Sequence, residues 1–258
     1  MRYFFCFFYL LAGLLGSAEK PEYILKDPEA RTIVSIKDDL LQRKYGAQMA
    51  GYMQALRPTA AINGKGHIQV RSKTGKRTNI AVQFRAFSVG AGIVNQYTTS
   101  TGTLTIHQKM NQDTQYTWTE IGKQAEIFKG TRAGVPFAGS DFWMFDLGLE
   151  MLRWPHQNVI KRQMRRGEFC SVLVSRPEKV EEGAYGKVVS WVDEDSMGIV
   201  RAQLFDSEGK VLKVFEPKSF KKIDGQWHLK EMEMRNEQTG TRTSIRFDLE
   251  QFVKPSSK

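Results

Sequence analysis

The sequence predicts a mainly β protein: a curved antiparallel sheet of about 10–11 strands forming an incomplete, open barrel, covered by an N-terminal helix and a short aromatic helix near 141–153. Three observations predict it. From residue 67 onward, apolar residues recur with a period of two, as on half-buried strands. The connections are of hairpin length, so helices do not recur between strands as a parallel sheet would require. Helical spacing occurs in two segments, and a sheet of this length has an apolar side that some element, ligand or partner must cover.

Residues 1–18 read as a secretory signal, with Arg2 as a minimal positive start, an apolar run from Tyr3 to Leu15, and small residues Gly16-Ser17-Ala18 for cleavage. The alternative, a membrane anchor, needs roughly 20 apolar residues, and this run is shorter. No cysteine follows the small residues, so a lipidated N-terminus is not expected. Cys6 leaves with the signal and Cys170 stands alone in a strand-like run, so no disulfide framework exists. Residues 19–258 are enough for one domain held by its own core.

Asp27-Pro28-Glu29 supplies a cap, a helix-compatible proline and an acid, and Ile33, Val34, Ile36, Leu40 and Leu41 follow at helical spacing, predicting a helix over 28–45. Its continuation through Met49, Tyr52, Met53 and Leu56 is interrupted by Gly46 and Gly51, and Pro58 with Asn63-Gly64 ends any helix. Ile68 and Val70, a turn at Lys73-Thr74-Gly75-Lys76, and Ile80, Val82, Phe84 and Ala86 then form a hairpin. Further strand-like runs occupy 104–108, 115–121, 124–128, 169–175, 187–192, 199–205, 211–215, 226–234 and 241–249, separated by turns such as Asp206-Ser207-Glu208-Gly209 and Gln238-Thr239-Gly240. Between them, Phe137-Ala138-Gly139-Ser140-Asp141-Phe142-Trp143-Met144-Phe145-Asp146-Leu147 is a dense aromatic helix start. Ser140 or Asp141 can accept from its first free N–H groups and Asp146 lies near its positive end, so a helix of about three turns follows, ending near Trp154-Pro155.

The net charge of +10 would suit nucleic acid, whose phosphates dominate such binding. Export, and the thin spread of Lys and Arg along strand faces, exclude it as the expected partner. The tightest cluster, Lys161-Arg162-Gln163-Met164-Arg165-Arg166, reads as a solvated loop or helix end, or as a transient docking point for anionic lipid head groups or an acidic partner.

Catalytic signatures are missing. Gly64-Lys65-Gly66 and Gly90-Ala91-Gly92 lack the third glycine of a dinucleotide loop, and neither a phosphate-binding lysine loop nor a Gly-x-Ser-x-Gly elbow occurs. His67, His107, His156 and His228 are isolated, without paired-ligand spacing. Asp193-Glu194-Asp195 falls between two strands, where acidic turn residues are common. No catalytic residue, metal or cofactor is expected.

Gly102-Thr103-Leu104, Phe137-Ala138-Gly139-Ser140-Asp141-Phe142 with Asp146-Leu147, Val189-Ser190-Trp191-Val192-Asp193, Arg201 to Asp206 with Gly209-Lys210, and Glu233 to Asn236 with Thr239 to Thr243 together resemble the LolA-like group of outer-membrane lipoprotein-sorting proteins. The likeness covers most of the chain from about residue 29, and the Gly-Ser-Asp-Phe element is its most specific piece. It implies a helix-covered open barrel whose interior holds acyl chains of lipoproteins or lipids in the periplasm. It also implies an inner-membrane transporter that loads the carrier and an outer-membrane acceptor that unloads it. Ala138, where the pattern often has a bulkier residue, and Trp143-Met144-Phe145, greasier than its usual turn, depart from it and would enlarge or refill the cavity. Ile80, Val82, Phe84, Phe137 and Trp191 are the expected pocket lining, with Phe142, Trp143 and Phe145 as a lid that fills the cavity when empty. The alternative for these aromatics is permanent core. For the protein as a whole it is an envelope adaptor or sensor that binds a partner without transferring cargo, with an enzyme acting on lipid as a third reading.

Overall fold

In the computed structural model, residues 20–25, 33–56, 61–109, 112–223 and 226–248 are described. The expected signal and the Asp27-Pro28-Glu29 helix start lie outside them. The elements are α1 (Glu22–Leu25), β1 (Val34–Ser35), α2 (Asp39–Ala55), β2 (Ile62–Arg71), β3 (Arg77–Val89), β4 (Gly92–Thr98), β5 (Gly102–Lys109), β6 (Gln115–Glu120), β7 (Glu126–Lys129), α3 (Met144–Leu147), β8 (His156–Arg165), β9 (Glu168–Arg176), β10 (Tyr185–Asp193), β11 (Ile199–Asp206), β12 (Val211–Ile223), β13 (Gln226–Asn236) and β14 (Arg242–Asp248).

Two meanders make one sheet. Strands β2 to β7 pair in chain order, β8 to β14 do the same, and β14 pairs antiparallel with β2, Ile245 opposite Ile68. At the far ends lie β7 and the short β1, which pairs with β8 through Val34 opposite Arg162. These two ends do not pair with each other, so the sheet stays open. Side chains from both meanders, including Ile68, Val82, Phe84, Leu104, Tyr116, Leu173, Val188, Phe215 and Met232, nevertheless belong to one buried cluster, which requires the sheet to curl around its apolar face.

The first helix is shifted from its expected position. Asp38, not Asp27, caps it, its carboxylate accepting from Leu40 N at 2.8 Å and Leu41 N at 3.0 Å, and it runs on through Gly46 and Gly51 to Ala55. A side chain at 46 would put its Cβ 2.3 Å from the Gln157 carbonyl group, so this glycine lets α2 lie against β8 rather than ending the helix. The stripe that packs inward is Met49, Ala50 and Met53, whereas Ile33, Val34 and Leu40, which suggested an earlier helix, are exposed. Strands β1, β4 and β8 were not legible as strands. In β4, Gly92 to Asn95 are all buried, so alternation is lost, while β8 carries the basic cluster expected as a loop or helix end. There Arg162 grips Glu194 through two hydrogen bonds of 2.8 and 2.6 Å, and the Arg165 guanidinium lies 5.4 Å from the Trp191 ring centre.

Candidate functional site

The aromatic segment does not form the expected three-turn helix. It folds as a 3-10 turn over Phe137–Gly139, the single turn α3, and a second 3-10 turn over Glu150–Arg153. Two non-glycine residues with left-handed backbones bracket the middle of the segment, Ala138 (φ 51°) and Leu149 (φ 49°), each interrupting helical continuity. We call residues 137–154 the plug.

Long-range polar bolts hold it to the sheet. Ser140 Oγ accepts from Phe142 N at 3.2 Å, as a capping residue would. Asp141 is instead fastened to β14: its carboxylate accepts from Thr243 Oγ1 at 2.8 Å and from Thr241 Oγ1, and its N–H donates to Thr243 Oγ1 at 2.9 Å. At the other end, Gln108 Nε2 donates to Gly148 O at 2.6 Å and Tyr116 Oη donates to Glu150 Oε2 at 2.9 Å. Burial raises the pKa of the Glu150 carboxyl, against the lowering effect of that hydrogen bond.

The centre of the plug meets a buried charge. Lys213 on β12 is fully buried, and its Nζ lies 3.6 Å from the Trp143 ring centre and 5.3 Å from that of Tyr185. Asp146 Oδ2 is 3.6 Å away, beyond hydrogen-bond length, and Nζ has no hydrogen-bond partner. The same carboxylate accepts from Trp143 N at 2.8 Å, closing the first turn of α3, and from Tyr185 Oη at 3.2 Å. Trp143 stacks on Tyr185 at 4.5 Å, and Phe145 meets both rings edge-on. Burial pulls the Lys213 ammonium down to about 8 and pushes the Asp146 carboxyl up, and each is partly offset by the other's charge.

Of the residues expected to line a cavity, Phe137, Phe142, Phe145, Val82 and Phe84 are buried in the main cluster, and Ile80 and Trp143 are partly buried against it. Phe137 sits between Tyr97 and Trp118, with ring centres at 5.9 and 6.2 Å, and Phe84 meets Phe247 at 5.0 Å. Trp191 is not with them. Val188 and Val192 point into the main cluster, so Trp191 faces the other side of β10, where it packs with Cys170 and Val172. The apolar cleft beside the plug is lined by Phe142 and Leu149 from the plug and by Ile199, Leu204, Phe215 and Met234 from β11 to β13. It retains about 20 Å³, room for a water-sized sphere and not for an acyl chain. The plug therefore fills the hollow that the sequence led us to expect. Sequence reasoning missed Tyr185, Lys213 and the β11 to β13 lining. One signal was present: Lys213 lies in phase with Val211 and Phe215 on a strand whose apolar face points inward.

Among the described residues, no three His, Cys, Asp or Glu side chains are placed to hold a metal ion, and no helix is long and apolar enough to cross a membrane.

A family model described as "Uncharacterized protein" matches residues 96–257, more than half of the chain, and the chain belongs to that family. No curated protein sequence matches it. Among solved structures, a DUF1329 family protein from Desulfovibrio piger is similar with a TM-score of 0.69 and 18% identity, over 81% of this chain and 92% of that one. A protein domain from Vibrio parahaemolyticus described as outer membrane lipoprotein-sorting gives a TM-score of 0.67 at 19% identity, over 82% and 95% of the two chains. A LolA superfamily protein from Nitrosomonas europaea gives 0.56 at 13% identity, over 80% and 91%. The chain thus shares the fold of these solved structures, a LolA superfamily protein among them, as the residue pattern indicated.

Proposed function

We propose that the protein is a non-enzymatic periplasmic carrier, binding acyl chains of lipoproteins or lipids beneath the plug and moving them between the inner and outer membranes. One observation carries this reading: the apolar side of an open sheet is filled by a separate segment, its helical course broken at the left-handed non-glycine residues Ala138 and Leu149, not by strands closing on themselves. Such a segment can leave as a unit, and an acyl chain entering in its place restores the lost burial. The exchange is energetically balanced, because each methylene removed from water contributes about 0.8 kcal/mol and the displaced aromatics give up burial of the same kind. Loading by an inner-membrane transporter, release to an outer-membrane acceptor and brief contact with the membrane surface complete this reading, to which the fold shared with a lipoprotein-sorting domain lends support.

Purified mature protein is expected to carry extractable lipid or to bind a fluorescent fatty acid, and Trp143→Asp to weaken that binding. Absence of any apolar ligand in both lipid extraction and titration would remove the carrier reading. The adaptor alternative draws on the edge strands β1 and β7, each paired on one side among the described residues. Cross-linking in cells separates the two, since a carrier is trapped with many lipidated cargoes and an adaptor with one stoichiometric partner.

A further inference from the structure

Resting on the carrier reading, we infer that Lys213 is the recognition group for an anionic head, a carboxylate or phosphate borne by an acyl chain, and that Asp146 holds its place while the site is empty. Lys213 is the buried ammonium at the edge of the cleft. It shares an inward strand face with Phe215, about 7 Å further along β12, and it is paired across the sheet with Leu204; both of these residues line the cleft. Nothing about packing calls for a charge there, since Met or Leu would fill the space without the cost of burying an ammonium. The two acids whose charges act on it, Asp146 and Asp141, both belong to the plug.

When the plug moves to admit a chain, it therefore takes the acids and the Trp143 face away together. Tyr185 stays behind on β10. The ammonium is left in an apolar cleft with no anion facing it and only the neutral Tyr185 hydroxyl nearby, an arrangement stabilised when the incoming molecule supplies a negative group. A carboxylate or phosphate one bond from an acyl chain does so, with its tail running past Leu204 and Phe215. An uncharged amphiphile does not, and its entry leaves the lysine unpaired. The site thus discriminates by the cost of an uncompensated charge rather than by shape.

The test is competition of dodecyl phosphate and dodecanol, both below micelle-forming concentration, against a neutral polarity-sensitive fluorescent lipid bound to delipidated mature protein. The wild-type protein is expected to bind dodecyl phosphate at least tenfold more tightly than dodecanol. In the double variant Lys213→Met/Asp146→Asn, which leaves no lone buried charge, the two ligands are expected to compete within twofold of each other. Inorganic phosphate at millimolar concentration is expected to displace nothing. Equal affinities in the wild type, with dodecanol clearly bound, overturn the anion site and leave the carrier reading standing. Binding of neither amphiphile while the probe stays bound overturns the anion site alone, and failure of the probe itself to bind overturns the carrier reading with it. Displacement by inorganic phosphate alone also overturns the anion site, because it would then serve free anions. If the double variant does not fold, the wild-type comparison decides the matter alone.

Discussion

At Lys213 the physics of the site reduces to one proton. Its folded-state pKa, about 8, is below the unfolded value of 10.5 because burial disfavours the ammonium. Below pH 8 both states hold the proton and the cost of burying it is constant. Between pH 8 and 10.5 the unfolded chain binds more proton than the folded one, so stability against unfolding rises with pH. Buried Tyr97, Tyr116 and Tyr185, each with pKa raised by burial, reverse the trend above about pH 10, where their unfolded counterparts ionise. The usable window is pH 7 to 9.5, across which Lys213 contributes about 2 kcal/mol of rising stability. Urea unfolding at several pH values is expected to show that gain in the wild type and its loss in Lys213→Met; parallel profiles for the two would refute the assignment. The sequence made the aromatic content of 137–147 plain, because hydrophobicity is local. It hid the partners, since Asp141 meets Thr243 across 102 positions and Asp146 meets Tyr185 across 39, separations that no spacing rule reaches.

Among elements, the strands other than β1, β4 and β8 were legible and the helix bounds were not. Alternation at Ile80, Val82, Phe84 and Ala86 reports burial directly, and the structure has these residues in β3 with Val82, Phe84 and Ala86 buried. Helix α2 was misread because Gly46 looks like a breaker in sequence and acts as a contact in space. Gly46→Ala, which improves helix propensity, is consequently expected to destabilise the protein by about 1–3 kcal/mol through overpacking against Gln157. Thermal unfolding measures it, and an unchanged or raised Tm would show that α2 can stand off from β8. The start of the plug follows the opposite logic. Ala138→Gly relieves a left-handed backbone and is expected to be neutral or to stabilise by up to about 1 kcal/mol. Gly139→Ala, with φ at 68° in the wild type, is expected to destabilise by about 1 kcal/mol. Equal effects of the two would mean that backbone strain does not mark the boundary of the segment.

For the molecule as a whole, function turns on whether the plug is permanent core or cargo substitute. The two meanders are joined through β14 and β2, and the plug is tied to that seam by Asp141 and Thr243. Permanent core and movable plug predict the same burial, so burial cannot separate them; a covalent lock can. The Asp141 N–H donates directly to Thr243 Oγ1 at 2.9 Å, so these two positions are where a bridge would tie the plug to the seam. Cys170, the free cysteine among the described residues, is buried and its thiol pKa is raised by burial, so it does not compete for the bridge. Asp141→Cys/Thr243→Cys, oxidised, is expected to resist thermal unfolding more than its reduced form, because the bridge closes a loop of about 100 residues. It is also expected to lose uptake of a fluorescent fatty acid and to regain it on reduction. If the locked protein takes up the ligand as readily as the reduced one, the plug does not move to admit it, and the acyl chain enters elsewhere on the sheet.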